Sequence, residues 1–288
     1  MLNSIVNDSR VSRLIEFALL EDIGLGDLTS EAIIPDEQLG KAELLCKEDG
    51  IVAGLEVATL VFEYCDHGIT LTPNIADGGI AQKGEVLATL DGSAKSILKG
   101  ERTALNFLQR MSGIATATHR YVHAIAGTDA KIIDTRKTVP GLRVLDKWAV
   151  RLGGGFNHRF GLDDMVLIKD NHIVAAGGIT KAVEMCRKHL ADEGIDVKIE
   201  VETKNLIEVQ EALRCAGIHR IMLDNFELDD MRKAVGLIDR KVEVEASGGV
   251  NLQTVRPIAE TGVDFISVGA LTHSVKGLDI SLELTHID

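Results

Sequence analysis

Residues 197–226, "VKIEVETKNLIEVQEALRCAGIHRIMLDNF", run from one short apolar stretch to another through a helical one. "VKIEVETK" and "RIMLDNF" are β-rich runs that end in charged or polar residues. Between them, "NLIEVQEALRCAG" has helical spacing and closes on glycine. The stretch therefore reads as strand, helix, strand.

The same unit recurs on both sides. "AKIIDTRK" and "MVLIKDNH" precede it, and "VEVEASGG" and "DFISVGAL" follow, with helical patterns such as "GITKAVEMCRKHL" and "NLQTVRPIAETG" between most runs. With Asp134, Lys169, Glu200, Asp224, Ser247 and Gly269 as strand-end markers, the steps are 35, 31, 24, 23 and 22 residues. That is the spacing of successive β-α units. Near-continuous apolar strands predict a parallel sheet covered by helices. An open doubly wound sheet fits the count as well as a barrel does. The barrel is favoured because almost every strand ends in reactive side chains, and only a barrel converges all those ends on one site.

Upstream the character differs. Residues 9–22 place Val11, Leu14, Ile15, Ala18 and Leu19 at helical spacing, with Ser9 as the expected cap. Residues 41–91 hold short alternating runs, "KAELLC", "GITLT" and "GEVLATL", separated by glycine turns, which predicts a small β-rich unit. From Gly100 the period is helical again as far as Gly127, with Gly113 an expected interruption.

Composition excludes several functions. The chain has 288 residues, 31 basic against 44 acidic, for a net charge of −13, and 3% aromatics. Such a chain lacks the general attraction to nucleic acid or an anionic membrane, and it lacks stacking platforms for single strands. No apolar stretch approaches a membrane span. The four cysteines are scattered without a CxxC pair, which predicts reduced thiols in the cytoplasm, and the N-terminal stretch does not read as a signal peptide.

Against this acidic background, residues 135–159 carry six basic residues and one acid. Arg136 and Lys137 follow one strand, His158 and Arg159 follow a glycine run at 153–155, and Lys169 ends the next strand. Convergence of these donors predicts a cleft for a small anion, since Arg matches carboxylate and phosphate with a planar fork. Arg143, Lys147 and Arg151 are spaced i, i+4, i+8 and read as a solvated helix face. Of Glu200 and Glu202, one is expected to enter the barrel. That inward carboxylate with Asp224 then suits Mg2+ or sugar hydroxyls. Ser247, Gly248 and Gly249, with Gly269 after the last strand, predict a phosphate site made of backbone amides and helix N-termini.

Together, "EDIGLGDLTS", "ERTALNFLQRMSGIAT", "DTRKTVPGLR", "AVRLGGGFNHRFGL", "IKDNH", "IEVE", "LDNF", "EASGG" and "SVGALTHS" resemble the quinolinate phosphoribosyltransferase family over most of the chain. The resemblance implies an α/β protein with an incomplete, open β/α barrel and a smaller N-terminal α/β sandwich domain. The corresponding division is 1–113 joined by 272–288, and 114–271. It implies phosphoribosyl transfer from phosphoribosyl pyrophosphate to quinolinate with loss of CO2, a step in NAD biosynthesis that requires Mg2+. By motif, Arg136, His158, Arg159 and Lys169 line the quinolinate pocket, and Lys137 meets the pyrophosphate. Glu200 and Asp224 hold ribose hydroxyls and, directly or indirectly, Mg2+; Ser247, Gly248, Gly249 and Gly269 take the 5′-phosphate. Lys137, Lys169, Glu200 and Asp224 are the expected catalytic set. Arg102 is expected to reach the site of a partner subunit in a homodimer with shared active sites, which could assemble further into hexamers. The alternatives are a related phosphoribosyltransferase that takes another base, of the type associated with molybdate transport, and a Schiff-base aldolase using Lys169.

Overall fold

The computed structural model describes residues 5–287. The chain divides into two compact units. One comprises residues 1–119, 138–154 and 271–288; the other comprises 120–137 and 155–270.

The first unit opens with α1 (Ser9–Ile23), whose cap is Asp8, not Ser9: the Asp8 carboxylate accepts the Arg10 amide. Then come α2 (Leu28–Ile33), β1 (Leu39–Cys46), β2 (Gly50–Ile51), α3 (Leu55–Cys65), β3 (Thr70–Pro73), β4 (Ile80–Ala81), β5 (Val86–Ser93) and the long α4 (Ala94–Ala124). The expected strands of 41–91 are present, but α3 lies among them, started by Gly54 with a positive φ and by Asp77, which accepts the first helical amides. Helix α4 runs through Gly113 without a break. A Cβ there would collide with the Lys276 carbonyl, so this glycine serves close packing and not termination.

After β6 (Lys131–Ile133) comes α5 (Arg143–Leu152), which belongs to the first unit. Its Lys147, expected on a solvated face, is 2% exposed. A spacing of four residues defines a stripe along a helix but not the side that meets water. The chain continues with β7 (Val166–Ile168), α6 (Asp170–Ala176), α7 (Ile179–Asp192), β8 (Ile199–Thr203), α8 (Leu206–Arg214), β9 (Arg220–Asp224), α9 (Leu228–Ile238), β10 (Glu243–Ser247), α10 (Val255–Ala259), β11 (Phe265–Ser267), α11 (Ala270–His273) and β12 (Ile280–Ile287).

In the first unit, β12, β1, β5 and β3 form an antiparallel sheet in that order. β12 lies against β1 with Leu282 opposite Leu44. In the second unit all six expected strands form one parallel sheet in the order β6-β11-β10-β9-β8-β7. Consecutive strands pair from β7 to β11, and β11 then pairs with β6. The gap falls between β6 and β7, so the barrel is open on one side, bridged there by a single pairing of Ile133 with Phe156. Strands β8, β9 and β10 are buried along most of their length, including Val201, Ile221, Leu223 and Ala246. Their burial against both layers is the main source of stability here, at roughly 1.5–3 kcal/mol per large aliphatic side chain.

Candidate active site

The loop after the glycine run is pinned to the barrel at several points. Phe156 donates its amide to Ile132 O, and Asp134 donates to Phe156 O. The buried Asp134 carboxylate then accepts from Asn157 Nδ2 at 2.6 Å and from the His158 amide at 2.9 Å. Further on, the Asp164 carboxylate accepts the amides of Phe160 and Gly161.

This loop turns the His158 ring into the barrel. Its Nε2 lies 3.0 Å from Glu200 Oε2 and 3.4 Å from Glu245 Oε2. Both glutamates are 0% exposed. Arg220 completes the cluster, with Nη1 2.9 Å from Glu245 Oε2 and Nη2 3.1 Å from Glu243 Oε2. Burial works against a charged imidazole, yet the two carboxylates lift His158 to about 9. Burial and the neighbouring Glu245 lift Glu200 to about 7. Burial also opposes a charged Glu245, but His158 and Arg220 hold it below the ordinary carboxylate range. The Arg159 amide donates to His158 Nδ1 at 2.7 Å and so opposes a second proton on the ring. Ring and Glu200 carboxyl therefore compete for one proton near neutrality.

His158 Nδ1 accepts a backbone amide, and Nε2 faces the two glutamates at ion-pair distance. The ring expected to meet quinolinate thus lies against the two buried glutamates. His158, Glu200 and Glu245 have donor atoms close enough for a metal ion. Arg220 already supplies the cation at Glu245, however, and both carboxylates of the cluster are fully buried.

The mouth is different. Glu200 pairs in register with Arg220, whereas Asp224 lies four residues further along β9, level with Ser247. At about 3.3 Å per residue that is roughly 13 Å. The two residues expected to hold Mg2+ together are thus offset along the sheet, Glu200 fully buried and Asp224 half-buried. Residues two apart on a strand share a face, so Glu202 enters the barrel as well. Glu202 sits opposite Met222, half-buried. Burial and nearby Asp224 raise its pKa, while Lys169 pulls it down. Glu202, Asp224 and Lys169 thus form one electrostatic group at the strand ends. Two neighbouring carboxylates supply the oxygen donors that Mg2+ selects.

Arg159 is 9% exposed and donates from Nη1 to Met165 O. Burial and the charge of Arg136 both press its pKa down. Two guanidinium groups held together in this way favour an incoming dianion that pairs with both. Lys169 and Lys137 are exposed at their strand ends, Lys169 capping α6. A Schiff-base lysine needs a desolvated pocket, and exposed Lys169 lacks one.

Ser247 ends β10 beside Asp224, and its carbonyl accepts the Asn225 amide. Gly248 and Gly249 follow, both with positive φ, and a Cβ on Gly248 would strike the Asn225 side chain. Gly269 follows β11. The helices after these turns span five and four residues, so loop amides and not long helix dipoles are what the site offers a phosphate. Arg102 is exposed on α4 of the first unit.

Sequence reasoning missed Glu245 and Arg220 and set Glu202 aside. The signal was present. "IEVET" and "VEVEA" each place glutamates two apart in an otherwise apolar strand, and a buried carboxylate is costly unless paired.

Six parallel strands that raise arginines, a lysine, paired carboxylates and glycine turns at one end define an anion-handling enzyme on an open β/α barrel. Family models for the quinolinate phosphoribosyl transferase N-terminal and C-terminal domains match residues 27–112 and 114–283. The chain is 48% identical over 286 residues to a protein of Nicotiana tabacum named quinolinate phosphoribosyltransferase [decarboxylating] 1b, covering 94% of this chain and 81% of that one. It is 45% identical to a Bacillus subtilis protein named probable nicotinate-nucleotide pyrophosphorylase [carboxylating], covering 97% and 95%. The solved nicotinate-nucleotide pyrophosphorylase of Francisella tularensis superposes with a TM-score of 0.92 at 40% identity, covering 99% of this chain and all of the other. The chain belongs to the quinolinate phosphoribosyltransferase family. Among the described residues, no helix is long and apolar enough to cross a membrane.

Proposed function

We propose that this protein transfers the phosphoribosyl group of phosphoribosyl pyrophosphate to quinolinate with loss of CO2, giving nicotinate mononucleotide and pyrophosphate for NAD biosynthesis. The observation that supports this best is the separation of charge at the strand ends. The guanidinium groups of Arg136 and Arg159 suit a dicarboxylate, Glu202 and Asp224 suit hydroxyls and a cation, and the glycine turns suit a phosphate.

In this reading Arg136, Arg159 and Lys169 hold quinolinate with its ring nitrogen facing ribose C1, and Lys137 meets the pyrophosphate. Ser247, Gly248, Gly249 and Gly269 anchor the 5′-phosphate. Breaking the C1–O bond develops oxocarbenium-like charge. The ring nitrogen then bonds to C1 and becomes cationic; its charge stabilises the electron pair left on the adjacent ring carbon as the carboxylate departs as CO2, and that carbon takes a proton from water. Positioning and electrostatics account for the catalysis, with no covalent nucleophile. Glu202 and Asp224 would hold Mg2+, which neutralises charge on the leaving pyrophosphate.

The catalytic residues fall within 114–271, and 1–113 with 272–288 serve as lid and dimer contact. A homodimer, with Arg102 reaching the partner's site, is supported by the exposed apolar side chains of Phe17, Leu20, Leu25, Leu28 and Ile33. Reduced thiols at Cys46, Cys65, Cys186 and Cys215 are consistent with the cytoplasm.

The test is direct. Purified protein is given Mg2+, phosphoribosyl pyrophosphate and carboxyl-labelled quinolinate, with nicotinate as acceptor in parallel. Labelled CO2 and nicotinate mononucleotide from quinolinate alone are expected. Turnover of nicotinate, or of neither acceptor, defeats the proposal.

A further inference from the structure

The buried base of the barrel holds more charge than the fold alone requires. Glu200, Glu245 and Arg220 lie on three adjacent strands, β8, β10 and β9, and all three approach one another beneath His158. Ion pairs of this depth are rarely justified by stability, since desolving the charges offsets most of their attraction. An apolar layer would fill the same space at no such cost.

What the layer touches is informative. His158 is held from three directions: its amide by Asp134, its Nε2 by the two glutamates, and its Nδ1 by the amide of Arg159. That last contact ties the ring's orientation to the backbone from which the Arg159 side chain leaves. The Arg159 guanidinium is in turn fixed by Met165 O. A rotation of the His158 ring breaks the hydrogen bond from the Arg159 amide and releases the backbone from which that side chain leaves.

We propose that Glu245 and Glu200, braced by Arg220, are positioning residues for substrate binding: they lock His158 in the one orientation that holds Arg159 at its place beside Arg136. They do not touch the substrate. They set the affinity and selectivity for the dicarboxylate through a relay of contacts that runs from the two glutamates to His158 and on to the Arg159 amide. This rests on quinolinate as the substrate, but the relay has a readout of its own.

The experiment compares the wild-type protein with Glu245→Gln and Glu200→Gln, each checked for native circular dichroism. For Glu245→Gln the KM for quinolinate rises about tenfold, while kcat and the KM for phosphoribosyl pyrophosphate stay within about twofold, as loss of ground-state binding to one substrate requires. Amide hydrogen exchange at Arg159 accelerates in the same variant and stays protected in the wild type. A folded Glu245→Gln with unchanged quinolinate KM overturns the proposal. So does a uniform fall in all kinetic parameters, which marks a purely structural role. If the wild type does not use quinolinate, the functional reading fails separately. Arg159 exchange then decides: faster exchange confined to 156–161 in the variant upholds the relay, and unchanged exchange sinks it. If Glu245→Gln does not fold, Glu200→Gln is judged by the same two readouts. Rapid Arg159 exchange in the wild type overturns the relay without any variant.

Discussion

Two carboxylates of β8 are separated by a single residue and lead different lives. Glu200 is sealed at the base of the barrel between His158 and Glu245. Glu202 is half-buried at the mouth, in the field of Asp224 and Lys169. Both point inward and both have a raised pKa. In a parallel barrel, then, depth and not side-chain type divides structural charge from chemical charge: the base can only pair its charges internally, whereas the mouth can offer them to a ligand.

The comparison can be broken from either side. The largest effect is expected at the base. Glu245→Ala leaves Arg220 with only Glu243, and the breaking of such a buried pair costs about 3–5 kcal/mol, read by denaturant unfolding. A change below 1 kcal/mol would mean that the base is not the structural layer. At the mouth the opposite pattern is expected. Glu202→Ala and Asp224→Ala lower kcat/KM by about 10²–10³-fold, yet leave the unfolding free energy within about 1 kcal/mol. Glu200→Gln, if it matched them in lost turnover without any rise in quinolinate KM, would return the chemical role to the deeper residue.

A pH series sharpens the contrast. His158 has its pKa raised on folding, so its contribution to stability is complete below about 6.5, the free imidazole value. That contribution is lost as pH rises towards about 9. The folded state binds the extra proton, which His158 and Glu200 share, so stability falls with rising pH across that window. His158→Gln should flatten the slope, and a slope unchanged in the variant places the titration elsewhere. The smallest effect belongs to the glycine turn. Gly248→Ala strains a positive φ and crowds Asn225. It should cost about 1–2 kcal/mol in stability and raise the KM for phosphoribosyl pyrophosphate more than that for quinolinate.

The barrel was legible because each of its strands is an apolar run closed by a charge or a glycine, as in "RIMLDNF". The open side was not legible from spacing, since a gap between β6 and β7 leaves the strand count unchanged. Arg136 and Arg159 were found because their cations stand out on an acidic chain, and the structure brings them together. Glu202 shares a strand face with Glu200 because residues two apart do, which the expectation of one inward carboxylate overlooks, and the spacing around Lys147 does not name the buried side. Helix α3 hid among glycine turns that signal strands equally well.

The pairing of β12 with β1 sets an order on biosynthesis. Residues 280–287 complete a sheet begun at 39–46, about 240 positions earlier. A ribosome that has released the whole parallel barrel has still not released the strand that finishes the first unit. During that interval β1 has an open edge, the kind of surface that recruits the wrong strand. For this protein the small sheet is therefore completed only after every strand of the barrel has been synthesised.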